Sequence, residues 1–166
     1  MPEIYDSISK IQCDNLINDF FKGKRVVIFS LPGAFTPTCS TQQLPGYEDR
    51  YQEFLDEGID DIYCVSVNDA FVMNAWAKDL GIENVKMLPD GNGMFTKRME
   101  QIVDKQDKGM GPRSWRYAMV VKNQKIIKQW VEEGKQDNSP SDPYSNTDPG
   151  TSINWIKGPY GQDKLN

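Results

Sequence analysis

A short apolar run that leads into a cysteine is the feature of this sequence that most constrains its fold. The run Arg25–Phe29 is β-branched and unbroken, which is typical of a fully buried strand. A Pro-Gly pair then stops the strand. Thr36 and the proline after it form a good helix start, with threonine as the N-cap and proline at the first helical position. The sequence therefore predicts a strand, a tight turn and a helix that carries Cys39 in its first turn.

Cys39 is the first candidate for chemistry. In the first turn of a helix, its sulfur would lie near unpaired backbone N–H groups and the positive end of the helix dipole, which favour a thiolate over a thiol. The alternative is a small apolar residue of the core, since free cysteines are often simply buried. The residues alone predict a reactive thiol and leave a structural cysteine as the other interpretation.

Strand and helix patterns alternate along the rest of the chain. Alternation predicts parallel strand pairs, and a hairpin at Asn123-Gln124 adds antiparallel strands. We therefore expect an α/β fold with a mixed central sheet and helices on both faces. The predicted strands span 25–31, 61–67, 85–88, 116–121 and 126–131, and the predicted helices follow Cys39, span 71–80 and 94–104, and begin at Asp148-Pro149 after a loop over 134–150.

Two of the predicted helices carry aromatic faces. Tyr47, Tyr51, Phe54 and Leu55 recur at helical spacing, as do the apolar residues of 71–80. We expect both faces to pack in the core, with an interface as the alternative. Because proline cannot continue a regular helix, a kink or break is expected at Pro45-Gly46.

Composition narrows the class of protein. A chain of 166 residues predicts one domain, spanning 1–166. The formal net charge is −5 and no basic block occurs, so nucleic acid is not an expected partner. No apolar run approaches the roughly 18 residues of a membrane span, and the N-terminus lacks the features of a signal peptide. Three cysteines without a dense framework suggest a reducing compartment, and we expect the cytoplasm. Without histidine, the three scattered cysteines predict no metal site.

The segment around Cys39 resembles a known family motif. Pro32-Gly33-Ala34-Phe35-Thr36-Pro37-Thr38-Cys39-Ser40 is similar to the peroxidatic-cysteine loop of the peroxiredoxins, and Leu44-Pro45-Gly46 resembles their type-5 (hybrid) subfamily. The segments Asp61–Val72 and Arg116–Val121 resemble the same subfamily. The resemblance implies a thioredoxin-like fold and a thiol peroxidase that reduces hydrogen peroxide and organic hydroperoxides without a cofactor. It also implies a homodimer packed through loops near the active site.

The resemblance also assigns site residues. It implies that Cys39 attacks the peroxide, with Pro32 shielding the site and Thr36 placing its hydroxyl near the sulfur. The family's arginine opens a late strand just before an aromatic residue, which here is Arg116. Spacing alone does not choose among the five arginines, and Arg113 is the nearest rival.

Two departures from the subfamily affect the expected mechanism. Type-5 proteins often carry a histidine four residues after the reactive cysteine, where this chain has Gln43. Some members also have a second cysteine in the C-terminal third, but residues 65–166 contain none, and Ser139 and Ser152 occupy predicted loops where it would lie. We therefore expect a one-Cys mechanism in which an external thiol reduces the sulfenic acid. Glutathione with glutaredoxin, or thioredoxin, are the reductants that the resemblance offers.

The other two cysteines leave an alternative open. Cys64 stands inside a predicted buried strand and is expected to be structural. Cys13 precedes an early segment for which the sequence predicts no definite structure, and it is expected to be inert unless it serves as a resolving or inter-subunit thiol. A second hypothesis for the whole protein is a redox sensor or chaperone that uses Cys39 oxidation with little turnover. A thiol–disulfide oxidoreductase is disfavoured because the chain has no CxxC motif.

Overall fold

The computed structural model describes residues 21–166, so that Cys13 lies outside the described residues. A five-stranded mixed sheet forms the centre, with the order β3-β2-β1-β6-β7. Its strands are β1 (Arg25–Ser30), β2 (Asp61–Ser66), β3 (Lys86–Pro89), β6 (Tyr117–Lys122) and β7 (Lys125–Val131), and a separate pair joins β4 (Ile102–Asp104) to β5 (Pro112–Ser114). The helices are α1 (Leu44–Asp49), α2 (Tyr51–Asp56), α3 (Ala70–Asp79), α4 (Met94–Arg98), α5 (Pro149–Lys157) and α6 (Pro159–Leu165), with a π-helical turn over Cys39–Gln43 and a 3₁₀ turn over Gln106–Lys108.

The central position of β1 explains its unbroken apolar sequence. It pairs parallel with β2 on one side and antiparallel with β6 on the other, and β2 pairs parallel with β3. Both faces of β1 are therefore covered, and Val26, Val27, Ile28 and Phe29 are fully buried. The predicted parallel pairs and the hairpin of β6 with β7 are confirmed.

Alternate residues of β1 feed two apolar clusters on opposite faces of the sheet. Val27 and Phe29 pack in the larger cluster, under α1, α2, α3, α5 and α6. Val26 and Ile28 pack in the smaller one, which includes Phe95 of α4. The predicted α/β architecture with helices on both faces is confirmed, and it corresponds to a thioredoxin-like fold. Cys39 belongs to the larger cluster.

The predicted helix over 94–104 is wrong in its second half. Helix α4 ends at Arg98, Glu100 adopts a left-handed φ of 59°, and Ile102–Asp104 turns into β4. The strand buries Val103 and pairs with Pro112–Ser114, a partner too distant along the chain for local periodicity to reveal.

The helix after Cys39 changes type where a kink was expected. A π-helical turn runs through Gln43, and α1 then begins at Leu44 with Pro45 in its first turn, where a missing N–H costs least. The predicted continuous face from Tyr47 to Leu55 is interrupted at Arg50, whose backbone leaves the helical region. In α3 the buried residues are Met73, Trp76 and Ala77, whereas Phe71 is 79% exposed, so the predicted face there is partly wrong.

The C-terminal third follows the sequence prediction more closely. Residues 132–148, called the strap below, join β7 to α5 without a helix or strand. Asp148 caps α5 by accepting a hydrogen bond from Thr151 N. Ser152, predicted to lie in a loop, is instead buried in the first turn of α5.

No helix within 21–166 has the length and apolarity needed to cross a membrane.

Candidate active site

The loop between β1 and the π-helical turn is tightly packed. Pro32 and Gly33 are buried, and Phe35 adopts a left-handed φ of 63°. A Cβ at position 33 would lie 2.7 Å from Arg113 Nη1, so that a larger residue there would displace the end of the Arg113 side chain. The Ala34 N–H donates to Asn68 Oδ1 at 2.9 Å, which ties this loop to the one after β2.

Thr36 stands at the predicted helix start, but its hydroxyl points back into the loop. Its carbonyl accepts the Ser40 N–H at 3.0 Å, and helical structure begins at Pro37, as predicted. The hydroxyl donates to Gly33 O at 2.7 Å. Because its hydrogen is committed to that bond, the Thr36 oxygen keeps lone pairs with which to accept a hydrogen bond.

Cys39 opens the π-helical turn and is fully buried. Arg116 immediately precedes β6. Its side chain is 1% exposed, and its Nη1 lies 3.5 Å from Cys39 Sγ. The pairing of Phe29 with Ala118 and Ser30 with Tyr117 brings Arg116 to the end of β1, from which the Cys39 loop departs. The sheet therefore places a guanidinium against this sulfur across 77 residues of sequence.

The other contacts of Arg116 fix its orientation. Nη1 also donates to Gln43 Oε1, and Nη2 lies 2.7 Å from both carboxylate oxygens of Asp142. The ring of Tyr144 has its centroid 5.6 Å from Arg116 Cζ. Burial alone would lower the pKa of Arg116, but the charges at Cys39 and Asp142 outweigh it and raise this pKa.

A second layer of hydrogen bonds supports Gln43. Its amide nitrogen lies 3.3 Å from Thr147 O and 3.4 Å from Thr147 Oγ1. The Tyr47 hydroxyl also donates to Thr147 O, at 3.0 Å. Burial raises the pKa of Tyr47 far above its usual range, so this hydroxyl keeps its proton. Gln43 therefore both accepts and donates hydrogen bonds, as expected for the glutamine that stands where the subfamily often has a histidine.

The structure brings two of the four residues selected from the sequence into contact, and the other two stand in the adjoining loop. Cys39 and Arg116 are in contact, and Thr36 and Pro32 line the loop that leads to them. The rival Arg113 donates to Met110 O at 3.1 Å and to Pro32 O at 3.4 Å, and therefore braces the loop. Sequence reasoning missed Asp142, because a carboxylate in a Ser/Pro/Asp-rich loop gives no local sign of a partner 26 residues away.

The two cysteines among residues 21–166 are both free and buried. Cys64 lies in the middle of β2, and burial followed by the charge at Cys39 raises the pKa of its thiol well above the usual value. A protonated thiol in a covered strand matches the structural role expected for Cys64.

Comparisons with known proteins agree with this site. Residues 11–145 match the Redoxin family. A peroxiredoxin of Rhizobium etli is 54% identical over 88% of this chain and 82% of that protein. The hybrid peroxiredoxin hyPrx5 of Haemophilus influenzae is 48% identical over 86% of this chain and 58% of its own length. The crystal structure of the Plasmodium falciparum antioxidant protein, described as a 1-Cys peroxiredoxin, superposes with a TM-score of 0.81 at 41% identity and covers 84% of this chain and 79% of that one.

A thioredoxin-like fold with a cysteine buried against an arginine at the end of its first strand defines a thiol-dependent redox enzyme. Within that class the chain belongs to the peroxiredoxin family, in its type-5 branch, and is a thiol peroxidase. A redox sensor with little turnover would use the same Cys39 oxidation, and it is the similarity to peroxiredoxins that favours the enzyme over that hypothesis.

Proposed function

We propose that this peroxidase reduces hydrogen peroxide and organic hydroperoxides at Cys39 by a one-Cys mechanism. The Cys39 thiolate attacks the terminal peroxide oxygen, an S–O bond forms as the O–O bond breaks, and water or an alcohol leaves once the departing oxygen takes a proton. Cys39 is then a sulfenic acid. A first external thiol forms a mixed disulfide with release of water, and a second thiol displaces it and restores Cys39.

The 3.5 Å approach of Arg116 Nη1 to Cys39 Sγ is the observation that carries this proposal. A guanidinium keeps its charge at any physiological pH, so it stabilises both the thiolate and the negative charge that develops on the leaving oxygen. Arg116 Nε is buried, and no acceptor for it exists among residues 21–166. A peroxide oxygen bound beside Sγ would supply that acceptor.

Thr36 and Pro32 have supporting roles in this scheme. The Thr36 oxygen, whose hydrogen is held by Gly33 O, can accept the O–H of a bound peroxide and orient it. Pro32 is buried, lacks an N–H and accepts a hydrogen bond from Arg113, and we assign it the role of shielding the sulfur from water. Both roles follow from positions that the sequence motif selected.

The one-Cys mechanism is supported by the burial of the only other described cysteine, Cys64, within a covered strand. The similarity to a protein described as a 1-Cys peroxiredoxin agrees with it. We propose that the reductant is an external thiol, either glutathione with glutaredoxin or thioredoxin, and that the enzyme acts in the cytoplasm as a single domain spanning 1–166.

We also propose that the enzyme is a homodimer that pairs at the carboxyl edge of the parallel strands. Phe35, Phe71 and Met94 each stand five residues beyond the end of β1, β2 and β3, and they are 54%, 79% and 43% exposed. The loops that carry them are in contact, since Ala34 N donates to Asn68 and a Cβ at Gly91 would lie 3.4 Å from Asp69 Cα. A second copy would cover these apolar side chains beside the active site.

Stopped-flow oxidation of the reduced enzyme by hydrogen peroxide, followed by tryptophan fluorescence, tests the roles of Cys39 and Arg116. We expect Cys39→Ser to abolish the fast phase. Arg116→Ala should slow it by about 100-fold or more, the usual effect of losing one donor to a developing charge. Arg98→Ala, an exposed arginine on α4, is the matched control and should leave the rate unchanged.

Turnover with glutathione and glutaredoxin, and separately with thioredoxin, completes the same experiment. Cys13→Ser should turn over as fast as the unmodified enzyme if Cys39 acts alone. A loss of turnover in Cys13→Ser would overturn the one-Cys mechanism, and a fast phase that persists in Cys39→Ser would overturn the assignment of the peroxidatic cysteine.

A further inference from the structure

The strap contributes a carboxylate to the active site that neither the sequence motif nor the family resemblance indicates. Asp142 sits at its middle, 39% exposed, with both side-chain oxygens 2.7 Å from Nη2 of the fully covered Arg116. We propose that Asp142 is a positioning residue for the peroxidase reaction: it holds the Arg116 guanidinium in the one orientation that leaves a donor for the peroxide. The proposal rests on the roles of Cys39 and Arg116 given above.

A count of hydrogen-bond donors carries the argument. A guanidinium has five N–H donors in a rigid plane. Nη1 donates to Gln43 Oε1 and Cys39 Sγ, and Nη2 donates to both Asp142 oxygens. The single N–H of Nε is left, buried and without an acceptor among residues 21–166. With both ends of the fork occupied, the group cannot rotate to offer a different nitrogen without breaking two or more bonds.

The strap is itself anchored on both sides of Asp142, so the carboxylate is held in place. On one side, Asn138 N donates to Asp104 O at 2.7 Å, and Asp104 N donates to Asp137 Oδ1 at 2.7 Å. On the other, the Glu132 carboxylate accepts bonds from Ser145 and Asn146. Tyr144, between the anchors, covers the Arg116 face with its ring. A fixed carboxylate reduces the rotamer freedom that a long arginine side chain would otherwise keep.

Asp142→Asn tests the proposal because it keeps the shape of the side chain but offers one neutral acceptor in place of a charged pair. We expect the rate constant for Cys39 oxidation by hydrogen peroxide to fall about tenfold, which corresponds to about 1.4 kcal/mol in activation free energy. Asp142→Glu, which keeps the carboxylate on an exposed loop, should recover most of the rate. Glu133→Gln, in the same strap and exposed, should leave the rate unchanged.

The same substitution in an Arg116→Ala background separates positioning from a general effect on the fold. If Asp142 acts through Arg116, Asp142→Asn has no further effect there, because the two changes are not additive. An undiminished rate in Asp142→Asn, an equal slowing in both backgrounds, or an Asp142→Glu enzyme as slow as Asp142→Asn would each overturn the proposal. The roles of Cys39 and Arg116 are judged separately, by Cys39→Ser and Arg116→Ala alone.

Discussion

The buried amide of Gln43 helps to orient Arg116. It contacts Nη1 of the guanidinium, whereas Asp142 contacts Nη2. The Gln43 oxygen accepts from Arg116 Nη1, and the Gln43 nitrogen points to Thr147. The amide therefore connects the active-site helix to the strap through one side chain. In contrast to a histidine, it cannot take up the proton of the attacking thiol at neutral pH, so its contribution is confined to hydrogen bonding.

Gln43→Leu keeps most of the side-chain volume and removes the hydrogen bonds to Arg116 and Thr147. We expect a loss of about 1–3 kcal/mol in the free energy of unfolding, because a buried charged donor on Arg116 loses its acceptor, and a slower oxidation of Cys39. Urea unfolding and stopped-flow oxidation measure the two effects. Gln52→Leu, on the exposed face of α2, is the control. Equal stabilities of the Gln43→Leu and Gln52→Leu enzymes would contradict this account.

Among single residues, the local sequence motif identified the site residues next to Cys39 but not those that reach the site from distant parts of the chain. Pro32, Thr36 and Cys39 lie within eight residues, so their spacing is a local property of one turn and one helix start. Arg116 was selected by resemblance, and the pairing of β1 with β6 supplies the physical reason for its place. Asp142 depends on how a loop without regular structure folds back, which no local pattern encodes.

At the scale of elements, one carboxylate joins the two ends of the strap. Glu132, at its start, accepts hydrogen bonds from Ser145 N and Oγ, Asn146 N and Thr147 Oγ1. Burial alone would raise the pKa of Glu132, but these hydrogen bonds outweigh it and lower this pKa below its usual value. The carboxylate thus replaces the backbone pairing that a strand would have provided for residues 145–147.

The lowered pKa of Glu132 gives the stability a defined pH dependence. Because the folded-state pKa is below the unfolded value of about 4.3, the contribution of the carboxylate is complete above that value. It is lost as the pH falls through the folded-state pKa. We expect Glu132→Gln to lower the free energy of unfolding by about 1–3 kcal/mol at pH 7, and the difference from the unmodified enzyme to shrink below about pH 4.

Urea unfolding between pH 3 and 7 measures this difference. Glu133→Gln is the matched control, since its side chain is exposed and adjacent in sequence. A difference between Glu132→Gln and the unmodified enzyme that stays constant down to pH 3 would show that the carboxylate charge is not what holds the strap.

The elements whose ends were predicted correctly are those with turn-forming or helix-capping residues at those ends. The hairpin turn at Asn123 and Gln124, both with left-handed φ, and the Asp148 cap of α5 were placed correctly. The helix predicted through Asp104 failed because Ile102 and Val103 meet their partner strand only in the folded chain. Tertiary pairing determined the outcome there, against the helical spacing of the segment.

The whole molecule places its chemistry at one edge of the sheet, where Phe35, Phe71 and Met94 are three of the five exposed large apolar side chains in 21–166. The parallel order of β1, β2 and β3 sends the three loops that follow them to the same side, and the Cys39 loop is one of these. Phe71 is the most exposed of the large apolar side chains in 21–166, although the sequence predicted it in the core. An exposed apolar side chain at a helix start fits the alternative that the sequence left open for this face, an interface, and it agrees with the proposed dimer.

Phe71→Arg therefore tests the proposed dimer. A charged side chain at the centre of a paired apolar edge would be buried without a partner, which costs several kcal/mol per site and acts twice in a symmetric interface. We expect sedimentation velocity to show a dimer for the unmodified enzyme and for Ile126→Arg, a partly exposed apolar residue on β7 at the far side of the sheet. Phe71→Arg should sediment as a monomer. A dimer that survives Phe71→Arg and dissociates in Ile126→Arg would move the interface to the β7 edge, away from Cys39.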